Sequence, residues 1–295
     1  MNGWWVIAAV LLAGCHAAPA PRIVARPPGD EIVVSGQRFH IGTPVVTWDQ
    51  FPGYSFYGKD ECFVGGPKEI DALRAQIDQF VLHFDVCGVS QSCYKVLLER
   101  KLSVHFMLDV DGTLYQALDL ADRAWHATKS NTRSIGVEIA NMGAYPPGKG
   151  QVLEQWYAED VDGPYLTPPA RLGDGGVRTS GFVARPVRWQ KVVGEVQGEK
   201  LEQYDFTIEQ YAALEKLAAG LARIFPRIEA DAPRAEDGTV TNVALSDEAW
   251  KDFHGILGHY HVQTNKNDPG PAFDWEPFLA RVREELARPA PTGTP

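Results

Sequence analysis

The sequence predicts a mixed α/β or α+β domain, because strand-length and helix-length segments of different periodicity alternate along one chain. Three stretches carry most of that expectation. Residues 79–84, Gln-Phe-Val-Leu-His-Phe, form an apolar run of strand length. Residues 103–118 place Asp111-Gly112 between two apolar runs, a strong local hairpin signal. Ile208, Tyr211, Leu214, Leu217, Leu221 and Ile224 recur at helical spacing between Asp205-Phe206-Thr207 and Pro226, which reads as a capped helix with a core-facing stripe.

With 295 residues the chain can bury a full core, as one large domain or a domain carrying a sizeable insertion. Its 8 Trp and 10 Tyr beside an ordinary apolar content describe a globular chain. The formal net charge of -10 argues against nucleic acid as a partner, since phosphate backbones reward clustered Lys and Arg.

Taken from the amino terminus, residues 4–13 are apolar over about half the length needed to span a bilayer. Leu12-Ala13-Gly14-Cys15 resembles a bacterial lipoprotein box, so residues 1–15 read as a lipoprotein signal peptide with lipid carried on Cys15. The leader departs from that pattern in being short and lacking Lys and Arg. A plain secretory signal is the other reading. Both place the mature protein in the cell envelope, facing the periplasm, with the membrane as a partner only through the anchor. Residues 16–29, rich in Ala, Pro and Arg, read as a tether. Residues 30–66 form a lead-in with extended runs at 31–34 and 43–48 and turns at Pro52-Gly53 and Gly65-Gly66.

The main domain is expected over residues 67–287. Ile70, Leu73 and Ile77 share a helical face, and the strand at 79–84 then delivers His83. Cys87 and Cys93 flank a short segment, with a helix running on through Leu98. Outside the cytoplasm two nearby cysteines favour a disulfide, and Cys62 is left as a buried thiol or an alternative partner. Trp125-His126 falls in a loop. Residues 134–141 read as a strand carrying Glu138 among apolar neighbours, where a carboxylate is costly to bury unless partnered or functional. Ser246-Asp247-Glu248 opens a short helix, and Ile256-Leu257 is an apolar run leading to His259. The Pro-rich tail, 288–295, is expected to be disordered.

His83 and His259 thus both close apolar runs, and Asp268 follows in Asn267-Asp268-Pro269-Gly270. Imidazole and carboxylate together suit a divalent ion of zinc type. The blocks "VLHFD", "SVHFMLDVDGTLYQALDLADRAWHA", "SIGVEIAN" and "GHYHVQTNKNDPGPAFDW", in that order, resemble the zinc-dependent N-acetylmuramoyl-L-alanine amidases, which share a fold with the peptidoglycan-recognition proteins. The likeness covers roughly residues 65–145 and 205–287.

The resemblance implies a central mixed β-sheet flanked by helices, with one zinc ion at its edge held by His83, His259 and Asp268. A catalytic zinc keeps three protein ligands and leaves a position for water, whose pKa it lowers. Glu138 matches the family's glutamate, implied as general base and then acid. Lys266 matches a lysine that would stabilise the oxyanion. Trp125, His126 and Asn141 match positions near the groove that could contact sugar or stem peptide. The Cys87 and Cys93 pair also looks like one in the peptidoglycan-recognition proteins. The implied reaction cuts the amide between the lactyl group of N-acetylmuramic acid and L-alanine in peptidoglycan. A recognition module that holds muropeptides without hydrolysis is the rival, and the full ligand set favours the enzyme. Gly-x-Ser-x-Gly, His-Glu-x-x-His and Walker-type signatures are absent.

Two features depart from the compact family pattern. Residues 146–204, punctuated by Pro and Gly directly after the Glu138 strand, form an insertion, expected as a flap or wall over the groove or as surface decoration. The loop between His259 and Lys266 is about a residue shorter than in cytoplasmic relatives. His261 is expected to be exposed or beside the site, and His105 to fill the core.

Overall fold

The computed structural model describes residues 28–50 and 53–291. The signal over 1–15 with Cys15, residues 16–27 of the tether and residues 292–295 of the tail lie outside the described residues.

In chain order the elements are β1 (Gly29–Val34), β2 (Gln37–Thr47), β3 (Phe63–Val64), α1 (Ile70–Gln76), β4 (Gln79–Phe84), α2 (Ser90–Glu99), β5 (Phe106–Leu108), β6 (Leu114–Gln116), β7 (Arg123–Ala124) and β8 (Ser134–Ile139). Then follow α3 (Gln151–Trp156), β9 (Tyr157–Asp160), β10 (Gly163–Leu166), β11 (Val192–Val196), β12 (Glu199–Gln203), α4 (Ile208–Ile224), α5 (Asp247–Asp252), β13 (Gly255–Gly258), α6 (His259–Val262) and α7 (Trp275–Ala287). Seven strands form the main sheet in the order β1-β2-β6-β5-β8-β4-β13. Its β1–β2 and β5–β6 pairs are antiparallel and the remaining four parallel, so the sheet is mixed, as expected.

Alternation along the strands sends side chains to two helical layers. Phe106 and Leu108 join the large core under α4 and α7, whereas Met107 between them joins a second core with Cys93 and Leu97 of α2. Strand β4 lies between β8 and β13 and is covered on both faces, so all six of its residues are buried. That is why it reads as an unbroken apolar run. Helix α4 starts as expected. The Thr207 hydroxyl accepts the Gln210 amide at 3.1 Å, and the Gln210 side chain accepts the Thr207 amide at 2.9 Å. Among the described residues no helix is long and apolar enough to cross a membrane.

The lead-in is part of this architecture. Strands β1 and β2 extend the main sheet through the parallel β2–β6 pairing, so residues 30–66 are not an appendage to a domain that begins at 67. The insertion has its own small core, in which Leu153, Trp156, Leu166 and Ala184 pack against Val110, Ala140 and Met142.

Candidate metal centre

Parallel pairing creates the site. Gly258 lies opposite Leu82 in the β4–β13 pair, so His83 and His259 leave neighbouring strand ends side by side. On the other flank of β4, Glu138 lies opposite His83. Three site residues therefore gather at the carboxyl ends of adjacent parallel strands, where open α/β sheets place their ligands. Asp268 returns from the loop after α6. Its Oδ2 is 2.9 Å from His83 Nδ1 and 3.0 Å from His259 Nδ1, and the two Nδ1 atoms are 3.0 Å apart. All three residues are buried.

Hydrogen bonds behind the two histidines decide which nitrogens face that point. The Ser134 hydroxyl donates to Ser130 O at 2.7 Å, so it accepts from His126 Nε2 at 3.2 Å. His126 Nδ1 then carries the lone pair and accepts from His83 Nε2 at 3.0 Å, which leaves His83 Nδ1 unprotonated. Likewise His259 Nε2 donates to Gln263 Oε1 at 2.7 Å and leaves its Nδ1 free. Two imidazole lone pairs and a carboxylate oxygen converge, and their mutual repulsion makes the cluster a candidate cation site. Tetrahedral zinc at about 2.0–2.1 Å from nitrogen and oxygen takes this donor set. The chemistry of the donors and the orientation of both rings fit it.

Electrostatics agree. Burial holds the His83 imidazole down at about 4, with His259 adding to the effect, so the ring is neutral at physiological pH. Burial acts to raise the Asp268 carboxyl, but the two imidazoles beside it, His259 and His83, bring it well below the ordinary carboxylate range. A neutral His83 ring beside an ionised carboxylate is the pair of protonation states a metal requires.

Beside this triad a cavity of about 470 Å³ is lined by Glu138, Lys266, Trp125 and Arg100 among others. Glu138 Oε2 is buried with no hydrogen-bond partner. Burial, with the nearby Asp268 and Asp85, pushes the Glu138 carboxyl well above its usual range. Strand β8 thus presents a carboxyl with unused capacity to the cavity. The ammonium of Lys266 has no ion-pair partner among the described residues. A second cavity, about 520 Å³, continues past Trp125 and His126. Trp125 lines both cavities, with the Arg123 guanidinium 4.5 Å from the centre of its ring.

Several expectations need revision. His126 lines the cavity, yet both its ring nitrogens are spent on His83 and Ser134, so it orients the His83 ring. Gly136 admits that ring, since a Cβ there would collide with it. Asn141 does not line the cavity. It is buried, donating to Tyr204 O at 3.0 Å and accepting the Gly143 amide at 2.9 Å. His261 is neither exposed nor at the site. It falls in the short helix α6 rather than an extended segment, fully buried, accepting the Gly258 amide and donating to Thr241 O. The expected Cys87–Cys93 disulfide is not formed. Both are free thiols with Cys93 hydrogen-bonded to Cys87, and Cys62 is a buried free thiol. No residue of the insertion lines the main cavity; it packs behind, with Trp156 against Gly88. His105 is buried in the core as expected, donating to Asp122 O at 3.0 Å.

Sequence reading also missed residues. Gln263 orients His259 from one helical turn on, a spacing open to inspection once α6 is known. Asp85 Oδ1 accepts the amides of Cys87, Gly88 and Asn141, tying the loop after β4 to the end of β8. It follows His83 by two residues in "VLHFD".

A family profile described as N-acetylmuramoyl-L-alanine amidase matches residues 73–271, more than half of the chain. A comparison with curated proteins finds no match. Among solved structures, the N-acetylmuramoyl-L-alanine amidase LysC from Clostridium intestinale is 14% identical, covering 72% of this chain and 88% of its own, with a TM-score of 0.36. A selenomethionine derivative of AmpD is 17% identical over 88% and 92%, with a TM-score of 0.30. AmiD from E. coli, in complex with anhydro-N-acetylmuramic acid-L-Ala-D-gamma-Glu-L-Lys, is 15% identical over 85% and 65%, with a TM-score of 0.38.

Proposed function

This chain belongs to the N-acetylmuramoyl-L-alanine amidase family, and we propose from that premise that it hydrolyses the amide between the lactyl group of N-acetylmuramic acid and L-alanine with one zinc ion. The observation that carries the zinc reading is the convergence of His83 Nδ1, His259 Nδ1 and Asp268 Oδ2 within 3.0 Å of one another. Bound there, zinc supplies Lewis acidity, polarising the scissile carbonyl and lowering the pKa of water.

The remaining work falls to the chain's own groups. Glu138, with an unpartnered oxygen beside the triad, takes the proton from the attacking water and returns it to the leaving L-alanine amine. Its carboxyl, raised by burial, suits a group that must alternate between base and acid. Lys266 offers an uncommitted cation to the oxyanion. Arg100, at the end of α2 and likewise without an ion-pair partner among the described residues, suits a carboxylate of the stem peptide. Trp125, lining both cavities, presents an aromatic face to sugar or peptide. A lipid anchor on Cys15, placing the domain at the periplasmic face of a membrane, belongs to the same proposal and rests on Leu12-Ala13-Gly14-Cys15. Intact mass of the mature protein beside a Cys15→Ser variant tests it.

Product mass spectrometry on purified muropeptides tests the reaction. Free stem peptide with a new L-alanine amino terminus, abolished by chelator and restored by zinc, is the expected result. Muropeptides bound but uncut would make the protein a receptor, and cleavage at another bond would overturn the substrate.

A further inference from the structure

The inserted β11–β12 hairpin packs against the segments that carry two of the three metal donors. Gly194 lies so close to Pro271 that a Cβ would sit 2.8 Å from the ring. Two glutamine side chains then reach from the hairpin into the metal-binding segments. Gln203, fully buried at the end of β12, donates to Pro269 O at 3.1 Å and to Asn141 Oδ1 at 3.2 Å, and accepts the Ala272 amide at 3.1 Å. Its amide oxygen also closes against Gly270, whose φ of 87° belongs to the region that favours glycine. The turn directly after Asp268 is therefore wrapped around this one side chain.

Gln197 acts at the hairpin's tip. It donates to Tyr260 O at 2.7 Å and Gln263 O at 3.0 Å, and it accepts the Ala244 amide at 3.1 Å, so both ends of its amide are engaged. Tyr260 and Gln263 bracket the end of α6, where the Tyr260 carbonyl has no further helical turn to pair with. Gln263 is also the residue whose side chain holds His259 Nε2. The Tyr260 amide in turn donates to Asp268 O at 3.1 Å, which joins the two braced segments. Gln197 adopts φ 54° in a two-residue hairpin turn with Gly198 at φ 77°. Such turns favour Asn-Gly. A glutamine held there against its backbone preference points to work done by its side chain.

We propose that the β11–β12 hairpin is a brace for the metal site, with Gln197 and Gln203 as positioning residues that set His259 and Asp268 for the ion. This rests on the zinc reading above and replaces the expected flap. Outer contacts of metal ligands typically govern affinity by 10–100-fold. The test uses the full chain as Gln197→Leu, Gln203→Leu, His83→Ala and Val193→Ser variants, the last altering only an exposed hairpin residue. Zinc affinity is read by chelator competition, the cobalt-substituted absorption spectrum reports ligand geometry, and melting of the metal-free protein reports folding. The glutamine variants should bind zinc about 10–100-fold more weakly and shift the cobalt spectrum. The metal-free melting of Gln197→Leu should stay close to that of wild type, and Val193→Ser should match wild type throughout. Wild-type affinity and spectrum in a folded Gln197→Leu variant would overturn the brace, even if Gln203→Leu failed to fold. If wild type bound no better than His83→Ala, the zinc reading itself would fall.

Discussion

Buried carboxylates at opposite ends of the same sheet are treated in opposite ways. Asp78, entering β4, is 2% exposed and fully matched. Arg133 meets it at 2.6 Å, Arg227 at 2.7 Å and His254 at 3.0 Å. At the other end Glu138 Oε2 and Asp85 Oδ2 are buried without a partner. Burying a carboxylate is expensive, and native structures almost always compensate it. Compensation within the protein marks a structural charge. Capacity withheld at the mouth of a cavity marks a charge completed by a visitor.

That contrast can be broken by exchanging roles. Asp78→Asn should cost about 1–3 kcal/mol, because it removes the charge that pairs with Arg133 and Arg227, while turnover per folded molecule persists; thermal melting and active-site titration measure the two. Glu138→Gln should do the reverse, lowering the rate about 10²–10⁴-fold with little change in melting. Equal losses in both variants would erase the distinction. Lys266→Met should lower kcat about 10²–10³-fold with a smaller change in KM, as loss of an oxyanion partner predicts.

Smaller effects sharpen it. His126→Phe removes the acceptor that fixes the His83 tautomer, so chelator competition should show zinc affinity reduced about 10–100-fold. Asp109 is fully buried, its Oδ2 is unpartnered, and burial pushes its carboxyl up to about 7. The folded state therefore holds that proton more tightly than the unfolded chain does. This contribution to stability is complete below about pH 4 and is lost as pH rises toward 7. Asp109→Asn should flatten this fall and gain on the order of 1–2 kcal/mol over wild type at pH 8 in denaturant melts.

Legibility in the sequence followed the range of the interaction. Strand β4, the hairpin around Asp111-Gly112 and the cap at Thr207 announce themselves through periodicity and turn chemistry confined to a few residues. His83 and His259 were visible because each closes an apolar run. The role of Glu138 and the choice of Asp268 came from blocks of family resemblance. What lay hidden depends on distant pairing. The extended run at 43–48 is legible, but its place in the main sheet is set by its pairing with β6, far along the chain. His126 was read as a substrate contact because no local pattern shows that its ring stands behind His83. Gln197 and Gln203 sit in a polar insertion with no periodicity to mark them, and their partners lie in segments that follow much later.

The most direct test of the central claim joins metal content to turnover in one variant. Zinc per chain and release of stem peptide from muropeptides would be measured side by side for wild type and Glu138→Gln. Equal zinc, near one per chain, with turnover lost only in Glu138→Gln, is the predicted result. Turnover at the wild-type rate in a zinc-replete Glu138→Gln protein would contradict it.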